Sequence, residues 1–135
     1  DRFPRCRLAY AFYQGRTSVT PVRITANAPR QRSAELVSYQ FGESKKFAGL
    51  RGNPRLMVEV QCPETSTQTT VIGWTCVEVF DGHRSIGVGA FTAPFLAVPA
   101  DPSASDADLQ RCPRSASDMS LYFRISHPED SDDDL

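Results

Sequence analysis

Apolar and polar residues alternate with a period of two over most of this chain, and that period belongs to half-buried strands. In Cys6–Gly15, Leu8, Tyr10 and Phe12 oppose Ala9, Ala11 and Tyr13, and Gln14-Gly15 supplies a turn. Residues 20–26 place Val22 and Ile24 on one face behind Pro21, which suits an edge strand able to pair between chains. Residues 35–42 carry Leu36 or Val37, then Tyr39 and Phe41, as the apolar positions of a third strand. Residues 55–62 alternate Leu56, Val58 and Val60 with Met57, Glu59 and Gln61. Residues 72–80, 85–95 and 119–126 complete seven candidate strands, and no amphipathic helix of ordinary length competes with them.

Between these segments lie Gly-, Pro- and Ser-rich stretches. Residues 28–33 and 42–55 read as basic loops, 63–70 as a polar Ser/Thr loop, and 98–118 as a long excursion. Within that excursion Ser105 or Asp106 can cap a short helical turn running to Leu109. The pattern predicts an all-β fold, an antiparallel β-sandwich of seven to eight strands over residues 1–127. Residues 128–135 read as a disordered acidic tail.

The fifth segment, Ile72–His83, holds the chain's single tryptophan. Trp74, Cys76 and Phe80 are expected to share a core face, with Val77 and Val79 implying cover on the opposite face too. Glu78 then falls on the Trp74 face, and a β-bulge or an arginine partner is its expected accommodation.

Composition adds three constraints. At 135 residues with 40% hydrophobic content, one domain can bury a core without covalent staples. Residues 1–56 carry eleven Lys or Arg against three acids, whereas residues 57–135 carry four Arg against thirteen acids. The basic half can face an anionic membrane or an acidic protein, or the two signs can intermix on folding. Four cysteines, Cys6, Cys62, Cys76 and Cys112, permit three disulfide pairings if the chain is secreted. No C-x-x-C spacing and no glycosylation sequon accompany them, so reduced thiols and an intracellular protein are expected. No apolar run reaches the roughly 18 residues of a membrane span.

Catalytic chemistry finds little material. His83 beside Asp81-Gly82 reads as a hairpin turn, and His127 stands alone near the tail. G-x-S-x-G, H-E-x-x-H and Walker sequences are all missing, so neither enzyme activity nor a metal or cofactor is expected. Asp101, Asp106, Asp108 and Asp118 share one segment without a glycine-pinned calcium loop. The candidate binding residues are therefore cationic: Arg30 and Arg32 in one loop, Lys45, Lys46, Arg51 and Arg55 in the next. If both loops share one end of the sandwich, these residues form a rim for an acidic peptide or an anionic lipid. Nucleic acid is disfavoured, because no aromatic platform interleaves the charges.

From Trp74 through Phe80-Asp81, Ile86 and Gly89 to Leu96-Ala97-Val98-Pro99, with 119–125 as a closing strand, the chain resembles C2 domains. The likeness is to those of phosphoinositide 3-kinases and of ciliary and centrosomal scaffold proteins. The basic early loops lack the family's calcium-binding aspartates, so the resemblance implies a calcium-independent module. The expected role is a non-catalytic interaction domain of a larger intracellular scaffold that docks protein partners. Docking of an anionic phospholipid membrane through the same loops is the alternative, and a secreted, disulfide-stapled adhesion or receptor sandwich is the second.

Overall fold

The computed structural model describes residues 4–33, 36–47, 50, 52–80, 89–115 and 119–126. The turn at Asp81–His83, Arg51 and the acidic tail lie outside these residues. The architecture is all-β and sandwich-like, as the alternation predicts.

Its principal sheet is built on three long antiparallel strands: β1 (Arg5–Gln14), β7 (Arg55–Pro63) and β8 (Thr69–Glu78). Along its outer edge β1 is covered piecemeal by β2 (Thr17–Ser18), β3 (Arg23–Ile24) and β4 (Ala28–Pro29). Gly15, with φ 62°, turns the chain from β1 into β2, where a side chain would strain the backbone. A second sheet pairs β9 (Gly89–Pro94) with β10 (Ser120–Ile125), and a small hairpin pairs β5 (Gln31–Ser33) with β6 (Leu36–Ser38). All seven expected strand segments contain a strand. The short β2, β4 and β5 are additional, and residues 28–29 and 31–33 prove to be strand rather than loop.

One face of the principal sheet carries the main core. Cys6, Phe12, Leu56, Val58, Val60 and Cys62 are buried there, with Val79 and Phe95. The alternation in β7 thus points inward as the sequence implies. Phe91, Leu121, Phe123 and Ile125 of the second sheet pack onto this cluster, and Phe91 stacks on Phe123 with centroids 5.2 Å apart.

Trp74 does not share that face. In the β7–β8 register, Val58 stands opposite Thr75 and Leu56 opposite Val77, whereas Trp74 stands opposite Glu59 and Cys76 opposite Met57. Residues opposite each other in an antiparallel pair project to the same side. The core phase of β8 is therefore Gly73, Thr75 and Val77, running on to buried Val79. Phe80 does reach the main core, its ring 6.2 Å from that of Phe12. The expectation that Trp74, Cys76 and Phe80 line one face is corrected accordingly. A bulge does occur in β8, but at Ile72, which is skipped between the Gln61–Val71 and Val60–Gly73 pairs.

Trp74 is nonetheless buried, at 2% exposure, because the excursion folds back over the second face. Its indole Nε1–H donates to the Ala97 carbonyl at 2.8 Å, and its backbone forms a bridge with Leu96. Glu78, on the same side, stays exposed and meets Arg55, 3.4 Å away. An arginine partner, rather than a bulge, accommodates it. The excursion also contains α1 (Asp106–Arg111), capped by the Ser105 hydroxyl accepting from the Asp108 N–H. Of the two caps the sequence offers, Ser105 is the one used.

Candidate functional site

The segment 39–47 positions two of the candidate cations. Its burial alternates, with Tyr39, Phe41, Glu43 and Phe47 partly buried and Gln40, Gly42, Ser44, Lys45 and Lys46 exposed. It makes no strand of its own and is held by side chains along β1. Tyr39 packs against the core cluster beside Cys6. The Tyr10 hydroxyl donates to Glu43 Oε2 at 2.6 Å. The Phe47 ring meets Phe12 edge-on at 4.9 Å and Tyr10 at 6.5 Å. The segment therefore runs beside β1 in the same direction, spanning about 20 Å from Cys6 to Phe12.

This course separates the cations that the sequence groups. Arg30 sits at the start of β1, where its N–H donates to the Pro4 carbonyl, and Arg32 lies on β5 opposite Val37. Lys45 and Lys46 lie near the Phe12 end. Arg55 occupies the opposite face of the sheet, where its guanidinium holds Asp106 at 2.8 Å, Glu78 and the Ala104 carbonyl. Only 18% of the Arg55 side chain is exposed, so it is committed to fastening the excursion onto the sheet. The rim of one loop end does not assemble. Among the described residues, Lys45, Lys46 and Arg32 are exposed and make no ion pair.

Glu43 ties this segment to the sheet edge. It pairs with Arg23 of β3 while accepting the Tyr10 hydrogen bond. Those two bonds hold its carboxyl below the usual carboxylate range, the Tyr10 bond contributing most. A depressed folded pKa contributes stability at pH above the ordinary value, and that stability is lost as pH falls through the folded pKa. Glu43→Gln is expected to flatten the loss of thermal stability on acidification below pH 5, a comparison made by melting both proteins across pH. Parallel profiles for the two would show that Glu43 contributes nothing to the acid limb.

Beside this anchor, three aliphatic side chains stand open on the sheet edge: Val19, Val22 and Ile24, with 48%, 52% and 53% of their surface exposed. Sequence reasoning placed Val22 and Ile24 on one face of an edge strand able to pair between chains. Their exposure follows from position. β3 is outermost beside β1, and no further strand covers it among the described residues.

A cleft of about 540 Å³ opens where β8 and β9 diverge beneath α1, lined among others by Cys76, Glu78, Pro94, Leu96, Leu109 and Cys112. Its described lining has no histidine. Burial pushes the Cys76 thiol up, away from the thiolate that nucleophilic chemistry needs. Among the described residues, no group of three or more His, Cys, Asp or Glu is placed to hold a metal ion. No described helix is long and apolar enough to cross a membrane.

Comparison with protein families matches residues 2–134 to the CCDC17 C-terminal domain. No curated protein matches the chain.

Proposed function

The chain belongs to the CCDC17 C-terminal domain family, and from that premise we propose that it is a non-catalytic docking domain of a coiled-coil protein. One observation carries the reading: Val19, Val22 and Ile24 stand about half exposed along the outer edge beside β1, and the Arg23–Glu43 pair ties that edge to the segment that displays Lys45 and Lys46, with Ile24 projecting to the Ala9 side of the sheet and Arg23 to the Tyr10 side. Half-exposed aliphatics along a sheet edge gain by burial against a partner, and exposed cations on the neighbouring segment select an acidic one. The partner is a protein segment that lies along this edge, with apolar residues toward Ile24 and acidic residues toward Lys45 and Lys46. The likeness to calcium-independent C2 domains of ciliary and centrosomal scaffolds supports an intracellular, cytoskeleton-associated setting. Arg30 and Arg32, about 20 Å away along β1, extend the cationic surface for a partner long enough to reach them.

The test is affinity capture with the wild-type domain, Lys45→Glu/Lys46→Glu and Val22→Ser/Ile24→Ser, each first shown to melt like wild type. The reading expects a shared set of acidic proteins retained by wild type, released by moderate salt, and lost from both variants. Retention that ignores both substitutions counts against it. Vesicles of phosphatidylcholine with and without phosphatidylserine form the second arm. Sedimentation that requires phosphatidylserine and is abolished by the charge reversal would move the site from protein to membrane.

A further inference from the structure

Cys6 and Cys62 are the most closely apposed pair of reactive groups in the described residues, with Sγ atoms 3.1 Å apart. They continue the β1–β7 register one step beyond Arg7–Gln61, so the two residues stand directly opposite. The phase of the ladder matters here. Leu8 turns its N–H and carbonyl outward to Thr25, and Phe12 turns its own to Thr20 and Val19. Even-numbered residues of β1 therefore point their backbone groups away from β7, which makes Cys6–Cys62 a non-hydrogen-bonded pair. Such pairs hold their Cα atoms about 4.5 Å apart, within the roughly 4.4–6.8 Å that a disulfide spans.

The other two cysteines have no such relation. Cys76 Sγ approaches the Pro102 carbonyl at 3.9 Å, and Cys112 Sγ the Ala97 carbonyl at 3.8 Å. All four are free thiols.

We propose that Cys6 and Cys62 are a disulfide-forming site, which joins β1 to β7 when the domain meets a disulfide oxidant such as glutathione disulfide. One protein thiolate attacks the oxidant and releases one glutathione thiolate, leaving a mixed disulfide on the protein. The second protein thiolate attacks the protein-bound sulfur and releases the second glutathione. In sum, two thiols and one glutathione disulfide become one protein disulfide and two glutathione thiols. Cys6 is fully buried and Cys62 is 2% exposed, so the oxidant gains access only when the edge of the sheet opens. Burial and the neighbouring Cys6 also push the Cys62 thiol up to about 12, which keeps it protonated near neutral pH. Both effects make the reaction slow in the folded domain without opposing its end point. The bond closes the chain from residue 6 to residue 62, a loop that contains the 39–47 segment.

The experiment refolds the domain from denaturant in a mixture of reduced and oxidised glutathione, so that burial does not limit access. Remaining thiols are alkylated and peptides mapped by mass spectrometry. The expected result is two protected thiols, joined as Cys6–Cys62, with Cys76 and Cys112 alkylated. A melting temperature about 10 °C above the reduced form is expected for a loop of this length. Cys76→Ser/Cys112→Ser is expected to form the same bond to the same extent. Four alkylated thiols in protein that has regained its native spectrum, or any bond that includes Cys76 or Cys112, overturns the assignment. Incubation of the folded domain with glutathione disulfide gives a second readout: the bond is expected to form faster as sub-denaturing urea is added.

Discussion

Replacing Trp74 with alanine is expected to lower the free energy of unfolding by about 3–5 kcal/mol, the range for deleting a large buried aromatic, as read from urea denaturation. The indole is 2% exposed and sits between β8 and the returning excursion, not in the main core. Its removal leaves a void under residues 96–97 and leaves the Ala97 carbonyl without its 2.8 Å donor. Other contacts fasten the excursion at separate points, among them Arg16 Nε to Ser103 Oγ at 3.2 Å, the Cys76 thiol to the Pro102 carbonyl at 3.9 Å and the Ser115 hydroxyl to the Ile72 carbonyl. Arg55 grips Ala104 and Asp106, and the Ala97 N–H donates to the Pro113 carbonyl within the excursion itself. The loss should therefore be regional as well as global. Amide hydrogens of α1 are expected to exchange faster in the variant than those of β7. Trp74→Phe separates the contributions, since it keeps most of the apolar volume and loses the donor, with an expected cost nearer 1–3 kcal/mol. A Trp74→Ala protein with unchanged denaturation midpoint and slope would falsify the burial assignment.

Phe12→Ala is expected to match that loss, at about 3–5 kcal/mol, through a different part of the molecule. Phe12 is 4% exposed in the main core, with edge-on contacts to Phe47 at 4.9 Å and Phe80 at 6.2 Å. Aromatic pairs of this kind add roughly 0.5–1.5 kcal/mol beyond area burial. The Phe47 contact also fixes the end of the segment that displays Lys45 and Lys46. Limited trypsin digestion should show cleavage after Lys45 or Lys46 accelerating more than cleavage after Arg111. If the stability falls while that digestion pattern stays the same, Phe12 supports the core without positioning the cations.

Local rules made several elements legible before any coordinates. β7 follows strict alternation and buries Leu56, Val58 and Val60 as written. Gln14-Gly15 turns the chain because only glycine takes that positive φ without strain. Ser105 caps α1 because a hydroxyl there satisfies an otherwise orphaned N–H. Each depends on residues within a few positions of one another.

The face of Trp74 was not legible, because β8 is apolar in both phases and the skipped Ile72 makes its parity change partway. The two-residue strands β2 and β4 have almost no signal of their own and exist where the edge of β1 receives them. The cationic residues look like one rim in the sequence, yet Arg55 faces away from Lys45 and Lys46. The tie of 39–47 to β1 sets that separation, and so does the parity of β7. Cys6 and Cys62 stand 56 positions apart and meet only through strand register. The sequence by itself determined the all-β class, the main strands and the absence of familiar catalytic motifs, because side-chain period and turn chemistry are local. Tertiary structure decided which face is core, what covers the other, and which charges and thiols come together. Those depend on pairing between distant segments, and a period of two says which residues share a side but not what that side will meet.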